Sequence, residues 1–130
     1  MTRVLALDYG SARCGCAISD PSGTLATPIE AIEDPASEGG LEAIARLVAE
    51  RDAEEVVVGL PVGLSGSEGP QAKETRAFVV RLAEAVDVPV HTHDERFTTQ
   101  LAQRTPGRTS EDSRAAAHLL KSYLDAAGRS

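Results

Sequence analysis

Residues 4–20 read VLALDYGSARCGCAISD: an apolar run, a short turn, and a second run of small apolar residues. Val4 to Leu7 form a strand pattern that ends on Asp8, and Tyr9-Gly10 breaks it. Residues 14–20, CGCAISD, predict a second strand. After the turn sequence PSG, residues 24–32, TLATPIEAI, predict a third. Three short strands joined by tight turns imply an antiparallel meander. Further on, residues 54–61, EEVVVGLP, are a continuous β-branched run stopped by Gly59 and Pro61. Such a run marks a central strand buried on both faces.

Helical periodicity fills the remaining intervals. After a loop over residues 31–40, Leu41, Ile44, Leu47 and Val48 recur at amphipathic spacing up to about Arg51. Phe78, Leu82 and Ala85 mark a second helix. Residues 87–96, DVPVHTHDER, predict a last strand, followed by a short helical piece, TTQLAQR, and a loop, TPGRTSE. Ala116, Leu119, Leu120, Tyr123 and Leu124 share one face of a final helix, beyond which Gly128 to Ser130 fray. The order βββαβαβα predicts an α/β protein with a mixed five-stranded sheet and helices on both faces. Its first three strands are antiparallel. The right-handed crossover rule puts the later two parallel to the first, on its other side. With 130 residues, a single domain over 1–130 is expected, large enough to fold without disulfides or structural metal.

Composition narrows the function. The formal net charge is −7 and aromatics are 3%, which argues against a general nucleic-acid coat and against a stacking platform for single strands. Any RNA affinity should be weak, with a shallow salt dependence. Cys14 and Cys16 have no further cysteine to complete a soft-metal site. They read as small buried residues in a reducing compartment. No signal pattern and no membrane-length apolar run is present, so a cytoplasmic location without membrane contact is expected.

The acids are less ordinary. In such sheets, ligands gather at the carboxyl ends of the strands. Asp8 ends the first strand; Asp94 and Glu95 end the last. Asp112 shares a helix stripe with Ala116 and Leu119 that should face the sheet. Singly, each has a structural role: an Asx turn at Asp8, a solvated cluster with Arg96 for Asp94 and Glu95, and a cap with Thr109 for Asp112. Together at one edge they repel. A pair about 4 Å apart costs ~4 kcal/mol at an effective dielectric of ~20. A hard divalent cation such as Mg²⁺, bound by oxygen, relieves that repulsion and meets substrate phosphates. Alternation along the strand does not decide between Asp94 and Glu95. His91 and His93 share one strand face and read as structural residues.

The segments LALDYGSARCGCAISD, VVVGLPVGLSGSEG, HDERFTT and EDSRAAAHLLKSYL, in this order, resemble the YqgF family, also called RuvX or Holliday-junction-resolvase-like. The resemblance runs from Val4 to Tyr123. It implies a ribonuclease H-like fold and a divalent-metal nuclease, with Mg²⁺ or Mn²⁺, acting in maturation of the 5′ end of 16S ribosomal RNA. It places the family's acids on Asp8, Glu95 and Asp112. The segment between Glu95 and Asp112 is shorter than is usual in the family, which bears on substrate choice.

Candidate nucleic-acid contacts are Gly10, Ser11 and Arg13 after the first acid and Gly63, Ser65 and Gly66 in a loop without a P-loop ending. Arg96, Arg104 and Arg108 lie around the shortened segment. RNA, specifically pre-16S rRNA, is the expected partner, and the chain is expected to act as a monomer or homodimer. Competing readings are a resolvase cutting four-way DNA as a dimer with paired sites and a non-catalytic RNA-binding or transcription-associated factor. An actin-like sugar kinase, suggested by LDYGSARCG, would need a second domain.

Overall fold

A computed structural model describes residues 3–22, 25–61, 69–94 and 111–126, with residues 111 and 112 described by backbone alone. The elements run β1 (Val4–Asp8), β2 (Arg13–Ser19), β3 (Ala26–Glu33), α1 (Glu38–Glu50), β4 (Glu55–Leu60), α2 (Pro70–Ala85), β5 (Val90–Asp94) and α3 (Glu111–Ala126). The sheet has the order β3-β2-β1-β4-β5. β2 lies antiparallel to β1 and β3; β4 lies parallel to β1 and β5. This is the mixed sheet read from the sequence, with the crossovers on the expected side.

The strand alternation sorts the core into two layers. Leu5, Leu7, Val56 and Val58 point to one face, where they meet Leu41, Ile44 and Val48 of α1 and Phe78 and Leu82 of α2. Val4, Ala6, Ala17 and Val57 point to the other, against Ala116, Leu119, Leu120 and Leu124 of α3. Val56, Val57 and Val58 are all fully buried, as the β-branched run of β4 requires, each contributing roughly 1.5–3 kcal/mol of burial free energy. Cys14 and Cys16 are buried and form no disulfide.

Two local expectations are corrected. The loop expected through Gly40 ends at Ser37, because Ser37 is an N-cap whose Oγ accepts from the Gly40 N–H at 3.0 Å. That bond satisfies a donor left open at the helix start, and Glu38 adds favourable charge in the first turn. The cap outweighs the poor helix propensity of Gly39 and Gly40. In α2, Ala85 is exposed, and the buried stripe is Ala72, Thr75, Phe78 and Leu82. Thr75 fits that stripe because its hydroxyl donates to the Gln71 carbonyl at 2.9 Å. The expected glycine-serine loop, the helical piece over 98–104, the Thr109 cap and the frayed terminus lie outside the described residues.

Candidate active site

Asp8 occupies the carboxyl end of the central strand, and strand parity sets its direction. It has the parity of Val4 and Ala6, so it belongs to the face covered by α3. Asp8 pairs with Gly15 on β2. On β4, the register Leu7↔Val58 brings Asp8 level with Gly59 at the next step. Asp8 therefore stands level with a glycine on each neighbouring strand.

The turn after Asp8 is held from the opposite face. Tyr9 stacks on Phe78 with ring centroids 4.4 Å apart, and its hydroxyl donates to Glu74 Oε2 at 2.9 Å. A Cβ at Gly10 would lie 2.7 Å from the Arg13 carbonyl oxygen, so the turn closes too tightly for a side chain there. Ser11 and Arg13 are exposed beyond it. The clamp has a titration signature: burial, then the hydrogen bond to Glu74, pushes the Tyr9 phenol up to about 12. A raised folded-state value means that the neutral phenol is favoured in the native protein. The associated stability is complete below pH ~10 and is lost as pH rises toward about 12. Tyrosinate absorbance is expected to show a late-titrating phenol that Tyr9→Phe removes; its persistence in that variant would reject the assignment.

The first turn of α3 is joined to the same place. The hydroxyl of Ser113, fully buried, accepts from the Cys16 N–H at 3.4 Å. Cys16 pairs with Leu7, immediately before Asp8, and lies where the β2–β3 ladder shifts register. Residue 112 thus enters the helix beside the end of β1. Ser113→Ala is expected to cost about 1–2 kcal/mol through loss of a buried acceptor, measured by urea unfolding. A neutral result would mean that this bond does not hold the helix start.

β5 reaches the same edge through Gly59↔His93 and Leu60↔Asp94. His91 and His93 face α3: both rings contact Tyr123, with centroids 6.4 and 5.7 Å away, and His93 Nε2 shares a hydrogen bond with Ser122 Oγ at 2.9 Å. Burial lowers the His93 pKa below its ordinary value, opposed by the Asp94 carboxylate. These contacts support the structural reading of both histidines. Asp94 has the opposite parity, that of Thr92. It therefore leaves the strand on the face away from α3 and Asp8.

Glu95, Gly63, Ser65, Gly66, Arg96, Arg104 and Arg108 lie outside the described residues, as does the side chain of Asp112. Among the described residues, no three acidic, histidine or cysteine side chains converge as a metal site. Sequence reasoning missed Tyr9 as a clamp and Ser113 as the helix anchor. Ser113 had a signal, since it shares the inward stripe of Ala116, Leu120 and Leu124. The Tyr9 partner is 65 positions away and left no local trace.

Residues 2–126 match a family model described as RuvX, Holliday junction resolvase. A relative from Chloroflexus aggregans, "Putative pre-16S rRNA nuclease", is 41% identical over 132 residues, covering 95% of this chain and 93% of the relative. One of the same name from Nocardioides is 48% identical over 120 residues, covering 85% and 76%. Among solved structures, Thermus thermophilus RuvC in complex with a Holliday junction superposes with a TM-score of 0.64 at 17% identity. The match covers 99% of this chain and 98% of that one. That likeness shows the ribonuclease H-like fold. By the match along nearly its whole length, the chain belongs to the RuvX family.

Proposed function

We propose that this protein is a divalent-metal-dependent nuclease that hydrolyses RNA phosphodiester bonds in 5′-end maturation of pre-16S rRNA, using Asp8, Glu95 and Asp112. The observation that carries the reading is Asp8, flanked by glycines on the α3 face, with the α3 start tied by Ser113 to the adjoining strand. The names of the relatives supply the substrate class.

The donor set fits Mg²⁺ or Mn²⁺. Carboxylate oxygens suit a hard cation, and the residues level with Asp8 on the two adjoining strands are glycines. A bound divalent ion would supply the positive charge that makes water a nucleophile near neutral pH and stabilises the leaving oxygen. Asp8 acts as a fixed negative charge held at the end of a buried strand. Asp112 enters from the helix start. Glu95 is favoured over Asp94, because the parity of Asp94 directs it to the opposite face. Gly10, Ser11 and Arg13 lie on the turn directly after Asp8 and are assigned to the RNA backbone. Arg96, Arg104, Arg108 and the Gly63–Ser65–Gly66 loop are assigned the same role on sequence grounds.

The purified protein should be incubated with structured precursor rRNA, single-stranded RNA, duplex DNA and a four-way junction, each with Mg²⁺, Mn²⁺ or chelator. Cleavage of RNA that requires metal is expected. Cleavage of the junction alone would make the protein a resolvase. RNA binding in chelator with no cleavage anywhere would make it a binding factor.

A further inference from the structure

The edge of the sheet opposite Asp8 carries a cleft of about 490 Å³ where the chain enters β4 and β5. Its floor is apolar: Val48, Ala53 and Val86 are buried there. Its rim is acidic: Asp52, Glu54 and Asp87 are exposed, and no basic residue lines it. Arg3 lies in a neighbouring depression beyond Asp52 and Glu54, and its guanidinium donates to the Arg51 carbonyl at 3.1 Å.

The backbone adds to the negative potential. α1 and α2 both end at this cleft; α1 closes on Arg51, whose carbonyl accepts from Arg3, whereas α2 closes on Val86 with no basic residue in its last turn. The C-terminus of α2 is equivalent to roughly half a negative charge. Asp52 also stands just past the end of α1 with φ 54°, a left-handed position where glycine is the cheaper residue. An acid there works against both the dipole and the backbone. The cleft thus gathers three carboxylates and the end of α2 around an apolar floor, with Arg3 and Arg51 set beyond it at the end of α1.

We infer that this cleft docks a basic segment of a partner protein, with an aliphatic side chain on the Val48–Ala53–Val86 floor and flanking Lys or Arg on Asp52, Glu54 and Asp87. Charge excludes an RNA backbone as occupant. The cleft is remote from the Asp8 edge, so docking leaves the nucleic-acid site open and allows a protein partner to hold the chain while that site is engaged.

The test is an NMR titration of the full ¹⁵N-labelled chain with an acetylated Lys-Leu-Lys-Lys-Leu-Lys peptide, beside a hexalysine and a neutral Ser-Leu-Ser-Ser-Leu-Ser control. Saturable shifts centred on Ala53, Val86 and Asp87 are expected. They should weaken with salt and weaken at least tenfold in Asp87→Lys, while Asp8→Asn binds as wild type. Equal binding of hexalysine, shifts scattered over the acidic surface, or no shift would overturn the proposal. Equal binding of the neutral peptide would make the cleft a site for an uncharged occupant and equally overturn it. A second measurement needs no ligand: Asp52→Gly is expected to raise the melting temperature. A fall would mean that the chain already compensates this acid, and the argument from charge would fail.

Discussion

Asp8→Asn is expected to reduce metal-dependent RNA cleavage by more than about 100-fold while leaving the far-ultraviolet circular dichroism unchanged. Loss of a partner that merely orients a metal ligand costs about 10–100-fold, and Asp8 is proposed as a ligand itself. The substitution keeps the volume and removes the charge at the end of a strand whose other residues are fully buried, so the sheet has no reason to change. Glu95→Gln is expected to behave alike. Asp94→Asn is expected to retain activity within a few-fold, since alternation along β5 turns Asp94 away from the face of Asp8. The comparison is sharper than any one variant. If Asp94→Asn and not Glu95→Gln abolished cleavage, the parity argument for the site would be wrong. If Asp8→Asn cleaved like wild type, the nuclease assignment to this edge would fall.

The largest stability effect is expected away from the acids. A Cβ on Gly40 would lie 2.1 Å from the Asp34 carbonyl oxygen and 2.7 Å from Pro35 Cα. Both obstacles are backbone, in the four-residue connection that brings β3 into α1, and Asp34 already holds φ 45°. Gly40→Ala must therefore push the connection or the helix aside. Overpacking of this kind costs about 3 kcal/mol, a fall of roughly 10 °C in melting temperature for a domain of this size. At Gly39 a Cβ would meet nothing within 4 Å. Gly39→Ala should instead stabilise by about 0.5–1 kcal/mol through helix propensity. Thermal unfolding of the pair checks this directly. Equal effects would show that the close approach at Gly40 is relieved at no cost.

These two glycines also show where local reading stops. They are adjacent and identical in sequence, and both looked like loop. Only the path of the connection over Gly40, and the Ser37 bond that starts the helix, separates them. The same holds for Ala85, which fits the helical spacing yet is exposed, while Thr75 takes a buried place by bonding its own helix backbone.

By itself the sequence determined the element order, the burial of β4 on both faces, the parallel placement of β4 and β5, and the presence of an acid at the end of β1. Those features follow from periodicity, β-branched runs and the handedness of crossovers, which act over a few residues or on chain connectivity. The motifs likewise sufficed to identify the family. The tertiary structure alone decided which face Asp8 shares and that Asp94 does not share it. It also decided that Tyr9 is clamped by Glu74, that Ser113 anchors the start of α3, and that an acidic rim closes around an apolar floor at the far edge. Each of these depends on register between strands or on contacts between residues distant in the chain. A shift of one residue in register reverses every side chain, and no local pattern carries that information.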